Sequence, residues 1–235
     1  CLKTLDAFCP VLGNQALRVR ELCRAMAETL NLSRESRQIL DIAASLHDIG
    51  LIGVPRSIIR KWRETPEALT ERDWERIRHH PTFGQELVGF AENLQDVGET
   101  IRTHHERPDG SGYPDRRKGD AIPSLARYLA VAVGYATYRR EESALDFVRA
   151  NSGTSFDSEA VQVLGRSLPL ATLPRRRREV LLRELRPGMV LAQGVYSSSG
   201  ALVVPEGESL SESYITRLRG LDREEVPAGP LVVYG

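Results

Sequence analysis

The chain has 235 residues, and its 41% hydrophobic and 27% charged content is typical of a globular protein, which excludes a disordered or fibrous chain. Its 32 basic side chains balance its 32 acidic ones, so we expect no nucleic-acid polymer and no anionic membrane surface as a partner. No apolar run reaches the roughly 18 residues that a membrane helix requires.

Predicted helices fill the first two thirds of the chain. Apolar residues recur at helical spacing over residues 19–30. A second helix is predicted to start after Ser33, which is a suitable N-cap, and to carry His47 and Asp48 at its C-terminal end, where Gly50 and Gly53 stop it. Thr70 and Asp73 have the spacing of a capping box and predict the start of another helix.

The helical pattern continues to about residue 165. Further helices are predicted at residues 84–90, 123–136, 144–148 and 160–164, and residues 101–106 are predicted to end another one. Residues 108–114 are rich in proline, glycine and aspartate and predict a loop. Residues 1–165 are therefore expected to form an all-α domain.

The composition changes after this domain. Residues 166–178 contain prolines and four consecutive arginines, which favour a solvated linker over a nucleic-acid site because no aromatic residues are interleaved. Strands are predicted at residues 180–185, 189–196, 201–204 and 231–234, with a helix at 214–221. The expected fold is mainly α: a helical bundle, then a small α+β module at 179–235.

All five histidines lie in short clusters with polar neighbours. They are His47, His79, His80, His104 and His105, and Asp48 follows the first of them. A single histidine is more often a surface residue or a hydrogen-bonded core residue than a ligand. This arrangement instead favours a metal site, because clustered imidazoles with a carboxylate are typical ligands of transition metals.

These residues belong to a series of blocks that resembles the HD-GYP subgroup of the HD phosphohydrolases. The blocks are His47-Asp48-Ile49-Gly50, His80-Pro81 with Gly84, His104-His105-Glu106, and Asp109-Gly110 with Gly112-Tyr113-Pro114. The similarity covers residues 12–165. A lone His-Asp pair would be a weak signal, whereas the whole series is specific.

The resemblance implies an HD-type helical bundle around a centre of divalent metal, usually iron or manganese. It also implies hydrolysis of the bacterial messenger cyclic di-GMP to linear pGpG or GMP. The residues that match metal ligands are His47, Asp48, His80, His104 and His105, with Asp48 as the bridging, catalytic carboxylate. The residues that match the substrate cleft are Asp109, Gly110, Gly112, Tyr113 and Pro114. His79 matches no ligand and is expected to be an exposed neighbour.

Four positions depart from the family pattern. Gln15 stands where many members have histidine, Leu51 where they have lysine, and Val133 and Ala136 where they have aspartate. One ion is therefore expected to bind well, and a second ion weakly or not at all. The alternative is that Gln15 or Glu106, with water, completes the second site.

Three functions stay open at this point: an active phosphodiesterase, a catalytically silent signalling module, and a hydrolase of another phosphoester. The residues beyond 185 resemble a small module found beside HD-type output domains in bacterial response regulators. Together with the start at Cys1 rather than Met, this predicts an upstream receiver domain or a partner signalling domain. The cysteines lack CxxC spacing, which favours a reduced, cytoplasmic setting, and a homodimer stays open.

Overall fold

The structure is a computed structural model that describes residues 2–90, 92–197, 200–220 and 230–235. The chain divides into two compact units, Cys1–Leu173 and Pro174–Gly235. The first unit is helical, as predicted. Its helices are α1 (Leu2–Phe8), α2 (Pro10–Thr29), α3 (Arg34–Leu46), α4 (Arg56–Glu64), α5 (Glu71–Arg78), α6 (His80–Val88), α7 (Gln95–Thr103), α8 (Ser124–Thr137), α9 (Ala144–Ala150) and α10 (Ser158–Ser167).

Local capping signals start two of these helices where they were predicted. The Ser33 hydroxyl accepts a hydrogen bond from the Ser36 backbone N–H at 3.1 Å, which satisfies a donor of the first turn of α3. Thr70 and Asp73 form a reciprocal capping box at the start of α5. Both predictions are confirmed.

Two apolar clusters form the core of the helical unit. One contains the buried faces of α2, α3, α7, α8 and α10, including Met26, Leu40, Ile101, Leu129 and Leu164. The other contains residues of α1, the start of α2 and the chain around α4, including Leu5, Leu12, Leu51, Ile59 and Ile77. Leu46, the last residue of α3, packs against both clusters. The residues that follow Leu46 therefore lie where the two clusters meet.

The second unit is small and mixed. Its elements are β1 (Arg177–Val180), β2 (Val195–Tyr196), β3 (Leu202–Val204), α11 (Glu212–Gly220) and β4 (Leu231–Tyr234). β1 pairs antiparallel with β4, and β2 pairs antiparallel with β3. The predicted strands at 201–204 and 231–234 and the predicted helix match these elements, although Leu221 lies outside the described residues.

The predicted strand at 180–185 is wrong. β1 starts inside the arginine run and ends at Val180, which pairs with Leu231. A 3₁₀ turn, Leu182–Glu184, then reverses the chain, and the Glu184 carboxylate accepts the Leu181 backbone N–H at 2.7 Å. An apolar run alone did not reveal this turn, because its stabilising contact comes from a glutamate side chain.

Among the described residues, no single helix has the length and apolar content to cross a membrane. The segments Arg34–Gly53 and Arg56–Glu64 meet that test only jointly, across a bend of 118°.

Candidate metal centre

Three helix ends converge on one place in the helical unit. His47 follows α3, His80 opens α6, and His104 and His105 follow α7. The ring centroids of His80 and His104 are 5.5 Å apart, those of His80 and His105 are 5.0 Å apart, and those of His104 and His105 are 4.0 Å apart. His47 approaches His104 at 5.5 Å. The sequence-predicted histidine ligands therefore lie together, whereas His79 is exposed, as expected.

Gly50 permits the close approach that brings two of these helix ends together. A Cβ atom at this position would overlap the carbonyl oxygen of His80 and would lie 2.8 Å from the backbone nitrogen of Gly84. Only glycine lets the turn after Asp48 contact the first turn of α6 directly. The glycine of the His-Asp-Ile-Gly block is thus needed for the position of His80.

Backbone carbonyls fix the orientation of three histidine rings. The Nδ1–H groups of His47, His80 and His104 donate to the carbonyl oxygens three residues earlier, of Ala44, Ile77 and Ile101, at 2.9, 2.6 and 2.6 Å. Because a carbonyl only accepts, each Nδ1 carries the proton and each Nε2 keeps a free lone pair. Metal-binding histidines are held in this way by their second nitrogen.

The free ring nitrogens are buried beside one carboxylate. The Nε2 atoms of His47, His80, His104 and His105 have no hydrogen-bond partner within the described part of the chain. Ligand atoms of Asp48, His80, His104 and His105 all lie within 4.8 Å of one another. Unpartnered buried nitrogens are costly unless something binds them, so these four residues fit a divalent metal ion.

His47 lies beside this group. Its Nε2 is 3.3 Å from Asp48 Oδ2, whereas Nε2 of His80 is 3.5 Å from Oδ1 of the same carboxylate. Asp48 therefore presents Oδ1 to His80 and Oδ2 to His47. This is the arrangement that a bridging carboxylate would need.

Burial and mutual repulsion keep the rings of the group neutral. Burial, followed by repulsion from the neighbouring rings of His47 and His80, lowers the pKa of His104 to about 3. The pKa of His105 lies well below its ordinary value for the same reasons, with burial the largest. Burial by itself raises the pKa of Asp48, but the contact with His47, which lies outside this group, outweighs burial, so the pKa of Asp48 is lowered and the carboxylate is charged.

Tyr113 covers one side of the cluster. Its ring stacks on His105 with centroids 4.8 Å apart, and its backbone N–H donates to the His105 carbonyl at 3.2 Å. Burial raises the pKa of the Tyr113 hydroxyl, so it stays protonated. Gly112 allows this contact, because a Cβ there would lie 2.6 Å from the His105 carbonyl oxygen. The structure thus brings two of the predicted cleft residues to the cluster.

The other predicted cleft residues belong to the same loop. The Asp109 side chain is exposed and accepts the Ser111 backbone N–H at 2.8 Å, which forms a local turn around Gly110. Gly110 has φ +84°, a conformation that favours glycine. Pro114 is half-buried and follows Tyr113 through a cis peptide bond.

Glu106 anchors this loop. Its buried carboxylate accepts the backbone N–H of Asp115 at 2.6 Å and that of Arg117 at 2.9 Å, one on each oxygen. The sequence left Glu106 open as a ligand for a second ion. In the structure, both Glu106 oxygens instead accept hydrogen bonds from the backbone of residues 115 and 117, at the end of the loop.

The four departures from the family pattern have clear places in the structure. Leu51 is fully buried in an apolar cluster and has no route to a phosphate. Val133 and Ala136 are buried in the other cluster.

Gln15 lies beside the histidine cluster, where its Nε2 donates to Asp48 Oδ2 at 3.2 Å. Sequence reasoning missed its partner Arg63, which donates to Gln15 Oε1; the two residues lie 48 positions apart, and no local pattern links them.

Comparison with known proteins agrees with this geometry. The model of the HD domain family matches residues 2–160. The chain is 38% identical over 158 residues to the cyclic di-GMP phosphodiesterase response regulator RpfG of Xanthomonas campestris, covering 63% of this chain and 41% of that protein. It is 29% identical over 163 residues to the 3'3'-cGAMP-specific phosphodiesterase 2 of Vibrio cholerae, covering 65% of this chain and 30% of that protein.

A solved structure shows the same fold. Bd1817, an HDG"Y"P protein from Bdellovibrio bacteriovorus, aligns with a TM-score of 0.56 and 20% identity, covering 66% of this chain and 51% of that one. The chain spans less than half the length of the two curated relatives. The match to the family model shows that the chain belongs to the HD domain family, and the clustered histidines and the Gly-Tyr-Pro loop, with the RpfG relative, place it in the HD-GYP group.

Proposed function

We propose that the helical unit is a metal-dependent phosphodiesterase that hydrolyses cyclic di-GMP to linear pGpG or GMP. The observation that carries this proposal is the convergence of His80, His104 and His105 on Asp48: one ligand atom from each of the four residues lies within 4.8 Å of the others, and the three Nε2 atoms have no hydrogen-bond partner among the described residues. The 38% identity with a cyclic di-GMP phosphodiesterase supports this choice of substrate.

Asp48, His80, His104 and His105 are the proposed ligands of the firmly held ion. Three imidazoles and one carboxylate suit iron or manganese better than magnesium or calcium, so we propose iron or manganese. A divalent ion bound there would polarise a phosphoryl oxygen and activate a water for attack on phosphorus. Asp48 is the proposed catalytic carboxylate, because it is buried and its two oxygens face the ring nitrogens of His47 and His80.

The Tyr113 loop is the proposed wall of the substrate cleft. Stacking of Tyr113 on His105 shields that ring from water and fixes its orientation. The exposed Asp109 side chain belongs to the same loop as Tyr113. We propose that Asp109, Gly110, Gly112, Tyr113 and Pro114 contact the dinucleotide.

A silent signalling module is the second candidate. It is favoured by the Gln15 hydrogen bond to Asp48 and by the apolar side chains at Val133 and Ala136, which leave His47 and Asp48 as the remaining ligands of a second ion. Such a module would bind a dinucleotide without cleaving it. A related nucleotide is a third candidate, since one relative is named for 3'3'-cGAMP.

The experiment is a turnover assay on anaerobically purified chain loaded with Fe(II) or Mn(II). Cyclic di-GMP, 3'3'-cGAMP and cyclic di-AMP are offered separately, and products are separated by chromatography. We expect cyclic di-GMP turnover of roughly 1 per second or above, loss of turnover in Asp48→Asn, and retention in His79→Ala. Binding without turnover under both metals would establish the silent module, and cleavage of another dinucleotide alone would change the substrate.

We propose a cytoplasmic signalling role for the protein as a whole. The named response-regulator relative supports a receiver or other signalling domain as partner. The homodimer that the sequence left open is tested separately: light scattering of the purified chain distinguishes a monomer from a homodimer.

A further inference from the structure

Gln15 connects Asp48 to an arginine. Its buried amide donates from Nε2 to Asp48 Oδ2 at 3.2 Å, and its Oε1 accepts from Arg63 Nη1. A carboxylate only accepts and a guanidinium only donates, so this is the one amide orientation that satisfies both partners. Gln15 therefore presents an N–H, rather than a lone pair, to Asp48.

The same oxygen of Asp48 faces His47. Nε2 of His47 lies 3.3 Å from Oδ2 and has no hydrogen-bond partner within the described chain. A second ion would bind between this nitrogen and this oxygen, and it would need at least one more ligand. In the described part of the chain, Gln15 also contacts this oxygen, but it does so with an N–H, and a hydrogen-bond donor cannot ligate a cation. The residues therefore do not fit a second ion.

The backbone at Arg63 is held by a second arginine. Arg139, which follows α8, donates from Nη2 to the carbonyl oxygens of Arg63 and Glu64 at 3.0 and 2.9 Å. These carbonyls lie at the end of α4, where a helix leaves acceptors without partners and favours a positive charge. The contacts tie the end of α4, which carries Arg63, to the chain after α8.

We propose that the Gln15–Arg63 pair takes the place of a second ion beside Asp48 Oδ2, so that the centre binds one divalent ion and Arg63 supplies its second positive charge. The inference rests on the proposed metal centre, but it concerns the number of ions and not the substrate. Arg63 is a positioning residue in this scheme, because it acts on Asp48 through Gln15. Its charge would repel an added cation at the same place.

The test counts Mn(II) ions per chain by elemental mass spectrometry after equilibrium dialysis, without nucleotide. Gln15→Glu keeps the size of the side chain and replaces the N–H by a carboxylate oxygen. The double variant, Gln15→Glu with Arg63→Ala, also removes the positive charge of the Arg63 guanidinium. We expect one ion in wild type and two in the double variant. The second ion should bind at least roughly tenfold more tightly in the double variant than in Gln15→Glu alone.

Lys61→Ala is the matched control, because it removes one positive charge from the same helix at an exposed position. It should keep one ion. Electron paramagnetic resonance provides a second readout: a coupled Mn(II) pair is expected in the double variant and a single Mn(II) signal in wild type.

Two ions in wild type would overturn the inference, and so would a folded double variant that keeps one ion. If the double variant does not fold, as judged by circular dichroism, the wild-type count still decides. A wild type that binds one ion and cleaves no dinucleotide would refute the proposed function and support this inference.

Discussion

The carboxylate of Glu106 accepts the backbone N–H of Asp115 at 2.6 Å, nine residues further along the chain. Its second oxygen accepts the N–H of Arg117 at 2.9 Å. Since Glu106 follows His105 directly, this contact couples the proposed metal centre to the loop that carries Tyr113.

Glu106→Gln should loosen the loop and leave the ion in place. One oxygen becomes an NH₂ group that faces a backbone N–H, so a buried donor loses its acceptor, which costs about 1–3 kcal/mol. We expect a lower melting temperature and faster hydrogen exchange at the amides of Asp115 and Arg117. A variant with unchanged exchange but a reduced ion count would show instead that Glu106 is a ligand.

Gly50→Ala should destabilise the helical unit. The added methyl group would overlap the His80 carbonyl oxygen, which belongs to the backbone and cannot rotate away. Overpacking of this kind typically costs about 1–3 kcal/mol in the free energy of unfolding. Urea denaturation measures the change, and we also expect weaker Mn(II) binding, because His80 must move.

Gly165→Ala is the control for this substitution. Gly165 lies inside α10, and the nearest group to an added Cβ is an Arg149 side-chain nitrogen at 3.9 Å. Here the alanine has room and favours the helix, so the variant should be more stable by about 0.5–1 kcal/mol. Equal effects at the two glycines would contradict the close approach assigned to Gly50.

Sequence patterns predicted the parts of the fold that depend on neighbours along the chain. The Ser33 cap and the Thr70–Asp73 box are such parts, because donor and acceptor lie three residues apart. The candidate ligands could also be identified, since each histidine lies in a recognisable block at a helix end. The resemblance to a known family then placed those blocks around one centre.

The contacts that sequence could not reveal connect distant positions. Arg63 lies 48 residues from Gln15, and Arg139 lies 76 residues from Arg63, so no periodicity links them. Glu184 similarly ended a predicted strand through a contact that apolar periodicity does not encode. In each case a side chain satisfies a polar group that only the folded chain brings near.

Asp41→Asn should reduce stability at neutral pH but not in acid. Arg20 donates to both oxygens of Asp41 at 2.9 and 2.8 Å, and Arg24 donates to one of them at 2.6 Å. Burial by itself raises the pKa of Asp41, but Arg20 and then Arg24 outweigh it, so the folded-state pKa lies below the ordinary value. Because the group is partly exposed, the loss at pH 7 should be about 1 kcal/mol.

The pH dependence follows from the direction of that shift. A lowered folded-state pKa gives stability that is present above the unfolded pKa of about 3.9 and is lost as pH falls through the folded-state pKa. Urea denaturation of wild type and Asp41→Asn should therefore differ at pH 7 and converge toward pH 3. A gap that persists in acid would show that the carboxylate charge is not its source.

Single-histidine variants should separate the ligands of the ion from their neighbours. His104 belongs to the four-residue group with Asp48, whereas His47 faces the opposite oxygen of that carboxylate. His104→Ala should weaken Mn(II) binding at least roughly 100-fold, since loss of a direct ligand exceeds the 10–100-fold typical of outer partners. His47→Gln should weaken it roughly tenfold or less, and the exposed His79→Ala should leave it unchanged. Calorimetric titration with Mn(II) measures all three, and equal losses for His47→Gln and His104→Ala would assign His47 to the same ion.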